Sequence, residues 1–104
     1  MSLSINGNYD EQKKRWSFDL IGEIDISNAH QLRKQLEAAY DVHPSDIYLD
    51  LDKLNYIDST GLGVIIGVYG AIRGNEHKTV ILNPKDNVKK LLRITSLDKV
   101  LIEQ

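Results

Sequence analysis

The spacing of apolar residues along this chain switches repeatedly between two and about three and a half, and that switching constrains the fold more than any other feature. Leu3 and Ile5, then Tyr9, alternate with polar residues and predict a strand over Leu3 to Tyr9. Asp10-Glu11-Gln12-Lys13 is a polar turn. Trp16, Phe18 and Leu20 alternate with Ser17 and Asp19, a second strand expected to pair antiparallel with the first. From Ser27 the period lengthens. Ala29, Leu32, Leu36 and Ala39 or Tyr40 share one face of an amphipathic helix, which Ser27 or Asp25 can cap and which Pro44 follows.

Ile47, Leu49 and Leu51 alternate with Tyr48 and Asp50 as a third strand. A second helix starts near Asp58 and runs to about Arg73, with Leu62, Ile65, Ile66 and Tyr69 expected inward and Gly74-Asn75 ending it. Thr79 to Leu82 reads as a fourth strand. Asn83-Pro84 reads as the opening of a third helix, asparagine as cap and proline first, with Val88, Leu91, Leu92 and Ile94 on its core side. Val100 to Ile102 reads as a short last strand.

The predicted order is β-β-α-β-α-β-α-β. Strand–helix–strand crossovers require parallel pairing, so the sheet is mixed, with an N-terminal hairpin and a parallel centre. The length suits one α/β domain spanning 1–104. Parallel strands covered on both faces read as continuous apolar runs, whereas the second and third strands here alternate. The helices are therefore expected mainly on one face.

Composition narrows the chemistry. Without cysteine there is no disulfide, iron–sulfur cluster or thiol catalysis. His30, His43 and His77 are far apart in sequence and form no metal-ligand pair, so no metal or other cofactor is expected. A net charge of -2 gives no electrostatic reason to bind nucleic acid or an anionic membrane. The basic clusters at Lys13, Lys14, Arg15 and at Lys89, Lys90, Arg93 read as a solvated turn and helix face. The N-terminus has no signal-like apolar stretch, and the run from Leu62 to Ile72 is far shorter than the ~20 residues of a membrane span. The expected location is the cytoplasm.

The informative segment is Ile57-Asp58-Ser59-Thr60-Gly61-Leu62-Gly63. Asp58 is a good N-cap, which puts Ser59 and Thr60 in the first helical turn, where backbone N–H groups are unpaired and the dipole is positive. A phosphate on a hydroxyl there meets favourable local electrostatics. The bland alternative is that both residues merely help the helix start. The glycines weigh against it. Gly61, Gly63, Gly67 and Gly70 fall in one helix, and each interior glycine costs about 1 kcal/mol relative to alanine. Something must approach this helix closely, either the sheet beneath or a partner above.

That segment resembles the signature of the bacterial anti-sigma factor antagonists, stand-alone STAS domains. Leu20-Ile21-Gly22-Glu23-Ile24-Asp25 resembles the family's other landmark, a strand ending in Gly-Glu-Leu-Asp, and Asp46-Ile47-Tyr48-Leu49-Asp50-Leu51 lies between them as the family pattern expects. The resemblance covers nearly the whole chain. It implies that Ser59 is phosphorylated by a serine-kinase anti-sigma factor and that a serine phosphatase resets it. It also implies a partner-binding surface of Asp25, Asp58, Ser59, Thr60, Gly61, Leu62 and Gly63. On this reading the chain is a substrate and ligand rather than an enzyme, and a monomer when free. Ile24 stands where the family has leucine, and Thr60 where some relatives have a second serine, which makes Thr60 a candidate minor acceptor.

Other readings fit less well. A serine hydrolase needs Gly-x-Ser-x-Gly, but Ile57 stands two before Ser59 and no histidine is placed beside it. A nucleotide-binding module is suggested only by Gly61-Leu62-Gly63, whose spacing matches neither common phosphate loop. A receiver domain would need an acidic pair after the first strand, where Asn6-Gly7-Asn8 stands. Within the STAS family, the alternative is a switch whose kinase partner controls something other than a sigma factor.

Overall fold

β1 (Leu3–Asp10) and β2 (Arg15–Ile24) fold back on each other with Leu3 opposite Gly22 and Asp10 opposite Arg15. The Asp10 carboxylate closes the turn between them by accepting the N–H groups of Gln12 and Lys13, both at 2.9 Å. The computed structural model describes residues 2–102. After the hairpin come α1 (Ala29–Val42), β3 (Asp46–Asp50), β4 (Leu54–Ile57), α2 (Ser59–Arg73), β5 (Thr79–Leu82), α3 (Asp86–Ile94) and α4 (Asp98–Leu101).

The strand order is β1-β2-β3-β5, with β4 also on β2. Every pairing beyond the hairpin is parallel, as the crossovers require. β2 serves two neighbours in turn. Residues 15–19 pair with β3, and residues 22–24 pair with β4, with an irregularity between Gly22 and Glu23. Gly22 takes φ +108, and a Cβ there would lie 2.3 Å from the Ser2 carbonyl oxygen, so this bend admits only glycine.

A single core joins one face of the sheet to all four helices. Phe18, Leu20, Ile24, Ile47, Leu49 and Ile81 meet Leu32 and Leu36 of α1, Leu62, Ile65 and Val68 of α2, Val88 and Leu92 of α3, and Leu101 of α4. Each such side chain contributes about 1.5–3 kcal/mol by leaving water. On the opposite face Ser17 and Asp19 are exposed, while the Tyr48 ring is covered by the Arg15 guanidinium 3.8 Å above its centre. The helices thus lie on one face, as the alternation in β2 and β3 implies.

Several expectations need correction. β4 was not anticipated: Leu-Asn-Tyr-Ile is too short to show a period, and its place is set by pairing to β2. Val100 to Ile102 is not a strand. Residues 98–101 form a helical turn, and only Ile102 makes an isolated bridge to Ile81. α3 begins at Asp86 with Lys85 as its N-cap residue, and Asn83, at φ 54, turns the chain two residues before that cap instead of capping. α1 starts at Ala29 with Asn28, not Ser27 or Asp25, at the N-cap position. Ile66 and Ile94, expected inward, are 40% and 71% exposed, and Tyr69 is only partly buried against the core.

Candidate functional site

The parallel pairing of Ile24 with Ile57 places the ends of β2 and β4 side by side, so Asp25 and Asp58 leave the sheet from adjacent strands. The Asp58 N–H donates to the Ile24 carbonyl at 3.1 Å and fastens the two ends together. From there α2 starts at once. Asp58 is extended, at φ -98 and ψ -178, and its carboxylate accepts the Gly61 N–H at 2.9 Å. This is the N-cap anticipated from the sequence, and it is worth roughly 0.5–2 kcal/mol.

The cap sets what the first turn presents. Ser59, Thr60 and Gly63 are exposed, whereas Gly61 and Leu62 are buried. A Cβ on Gly61 would lie 2.4 Å from Ile24 Cγ2 and 2.9 Å from Ile57 Cγ1, so this glycine answers to the sheet beneath. Gly63, Gly67 and Gly70 differ. A Cβ on any of them would meet nothing within 4 Å. With Ile66 they fall at helical spacing on one outward stripe that climbs α2 from Ser59. Beside the stripe a groove of about 650 Å³ runs between α1 and α2, its floor formed by Leu36, Val68 and Ile72.

Asp25 is committed mainly to its own loop. Its carboxylate accepts the Ser27 N–H at 2.9 Å and the Ser27 hydroxyl. The Asn28 side chain accepts the Asp25 N–H at 2.9 Å and donates to the Glu23 carbonyl at 3.0 Å, locking the turn from β2 into α1. The hydrogen bond from the Ser27 hydroxyl is the chief cause holding the Asp25 carboxyl below its ordinary value of 3.8. It therefore stays ionised at neutral pH. Asn28 was missed by sequence reasoning, although Asp-x-Ser-Asn is a recognisable turn-forming cluster.

Three exposed apolar side chains were also missed: Ile26, next to Asp25, at 78% exposure, Tyr56 on β4 at 42%, and Ile66 on the stripe. Their signal was weak, since Ile66 fits an inward position by spacing alone. His43 stacks on Tyr9, and His77 bonds Tyr40 beyond the far end of α2, so neither serves Ser59 as a base. Among the described residues no group of three or more His, Cys, Asp or Glu side chains could hold a metal, and no helix is long and apolar enough to cross a membrane.

The family model of the STAS domain matches residues 9–103 of this chain. The anti-sigma-B factor antagonist of Staphylococcus aureus is 29% identical over 95% of this chain and 92% of its own. Among solved structures, the anti-sigma factor antagonist SpoIIAA in its unphosphorylated form superposes with a TM-score of 0.77 at 19% identity, covering 97% of this chain and 88% of its own. The Bacillus cell fate determinant SpoIIAA in the phosphorylated form gives 0.74 at 19% identity, covering 99% and 92%.

Proposed function

This chain belongs to the STAS domain family, and from that premise we propose that it is an anti-sigma factor antagonist switched by phosphorylation of Ser59. The observation that carries the reading is the start of α2. There Asp58 caps the helix and leaves Ser59 exposed at its positive end, beside the Asp25 turn and at the foot of an open glycine stripe.

In this reading the unphosphorylated chain binds a serine-kinase anti-sigma factor through Asp25, Asp58, Ser59, Thr60 and Gly63, with Gly61 and Leu62 positioning that turn from beneath. Binding frees the sigma factor. The kinase transfers the γ-phosphoryl group of ATP to the Ser59 hydroxyl oxygen, the hydroxyl proton is lost to base, and ADP leaves. A serine phosphatase later hydrolyses the ester. The chain supplies an acceptor and a surface, and catalysis belongs to its partners.

The magnitudes suffice for release. A phosphate adds about -1.5 to -2 charge at neutral pH. Against one acidic group ~6 Å away, at an effective dielectric between about 20 and 80, the repulsion is about 1–5 kcal/mol. Each ~1.4 kcal/mol is tenfold in affinity, so one phosphate can undo a micromolar complex. The helix start tolerates the same phosphate, because its free N–H groups and dipole favour an anion. That two forms of SpoIIAA, one phosphorylated, resemble this fold to similar degrees agrees with a switch acting at the surface.

Incubation with ATP and the serine-kinase anti-sigma factors of the same genome, followed by mass spectrometry, tests the proposal. Phosphate on Ser59 is expected. No phosphate from any of them, or phosphate confined to another residue, overturns it.

A further inference from the structure

The outer edge of β1 has a self-complementary ladder. The Glu23 N–H donates to the Ser2 carbonyl at 2.9 Å, while the Gly22 N–H points the other way, to the Lys53 carbonyl at 3.0 Å. Inward and outward backbone groups alternate along an antiparallel pair. In the register of this hairpin, Ser4, Asn6 and Asn8 therefore bond to β2, and Leu3, Ile5, Gly7 and Tyr9 turn their N–H and C=O groups outward. Among the described residues no strand pairs with that side of β1. The opposite edge of the sheet, by contrast, receives Ile102 against Ile81.

We propose that two copies of this chain associate by antiparallel pairing of their β1 edges about a two-fold axis at Asn6. The midpoint of the outward set is Asn6, so in this register Leu3 faces the second copy's Tyr9 and Ile5 faces its Gly7. Every outward N–H and C=O from Leu3 to Tyr9 then finds a partner, and a shift of two residues in either direction leaves some unpaired. The side chains agree with the ladder. On the solvent face Ser4 meets Asn8 and Asn6 meets Asn6; on the helix face Leu3 and Ile5, only partly buried in one copy, gain cover.

Charge supports a second copy as the occupant. Natural edge strands are guarded by lysine, proline or a bulge. Leu3 to Tyr9 contains neither charge nor proline, and β1 pairs with β2 in unbroken register, so no like charges meet across the axis. Asp10 falls opposite Ser2. Seven residues span only about 23 Å, and the area buried falls short of the ~1,200 Å² typical of stable interfaces. The dimer is accordingly weak, leaving a monomer at low concentration. β4 and Ser59 lie on the other side of β2, so the pairing leaves the phosphorylation surface open and does not depend on its function.

Sedimentation velocity on the whole chain, at rising concentration, tests the inference. Reversible dimerisation is expected, with a midpoint of about 0.1–1 mM. Ser4 and Asn8 are exposed, so both accept charge without disturbing the core. They face each other across non-hydrogen-bonded pairs, where side chains are closest. The double variant S4K/N8K brings lysine against lysine and should weaken association at least ~10-fold. The double variant S4E/N8K brings glutamate against lysine and should dimerise as well as the parent or better. A parent chain monomeric to about 1 mM overturns the proposal, as do two variants that associate equally. Matching amide spectra of the variants at low concentration confirm that each is folded.

Discussion

Gly61 lies so close above Ile24 that a Cβ at position 61 would come within 2.4 Å of Ile24 Cγ2. The first turn of α2 is thereby seated on the end of β2, and the height at which Ser59 stands above the sheet is set by a missing side chain. Gly61→Ala should cost about 1–3 kcal/mol through overpacking, offset by about 1 kcal/mol of helix propensity. Gly63→Ala and Gly67→Ala meet no such neighbour and should hold or raise stability by up to about 1 kcal/mol. If the stripe contacts the partner, these same two variants bind it more weakly. Denaturation and calorimetry on the three proteins separate the two roles, since only position 61 should lose stability.

At Ser59 the expected outcomes concern the acceptor and the charge. Ser59→Ala should abolish phosphorylation by the cognate kinase and change stability by less than about 0.5 kcal/mol, because the side chain is exposed. Ser59→Asp should bind the partner at least ~10-fold more weakly than Ser59→Ala. Equal affinities by calorimetry would show that the hydroxyl, not the charge, governs binding. Amide shifts on phosphorylation should stay near Asp25 and residues 58–63, leaving α3 and α4 unmoved.

Asp58 has two roles that substitution can separate. Asp58→Ala removes the acceptor of the Gly61 N–H and should cost about 0.5–2 kcal/mol. Asp58→Ser keeps a capping oxygen without the charge, so most of the stability should return. If the Asp58 charge helps expel the phosphorylated form, phosphorylated Asp58→Ser should retain partner affinity that the phosphorylated parent loses. Thermal melts and binding isotherms on both variants check the two effects independently.

The Asp25 carboxyl, held below 3.8 chiefly by the Ser27 hydroxyl, links the β2–α1 turn to acid. A folded pKa below the unfolded one means that the contribution is fully present above pH 3.8 and is lost as pH falls through the folded value. Ser27→Ala removes the largest cause and should raise the Asp25 midpoint toward 3.8. Carboxyl chemical shifts followed by NMR titration report this directly. No change in midpoint would mean that the backbone N–H groups alone hold the charge.

Local pattern was enough for most of the architecture and for the capped start of α2. The hairpin, the parallel centre, the one-sided helices and the Asp58 cap each rest on information carried within a few residues: alternation along a strand, spacing along a helix, a capping oxygen before an apolar run. The place of Ser59 in the first turn of α2 was legible for the same reason, since a helix start is a local electrostatic object whatever lies around it.

What lay between elements was not legible. β4 exists because the bend at Gly22 releases the end of β2 from β3 and offers it to a segment too short to declare a period. The side-by-side exit of Asp25 and Asp58 follows from that pairing and from nothing within either motif. Gly61 and Gly63 look alike in sequence, and only packing decides that one answers to Ile24 beneath it and the other to open space. Ile66 fits the inward spacing and is nonetheless exposed, because the width of the buried stripe depends on what packs against the helix. The sequence by itself determined most of the elements and the Asp58 cap that opens α2. The tertiary structure alone decided which faces those elements leave uncovered, because burial belongs to pairs of surfaces and pairing here joins residues more than thirty positions apart, as Ile24 meets Ile57.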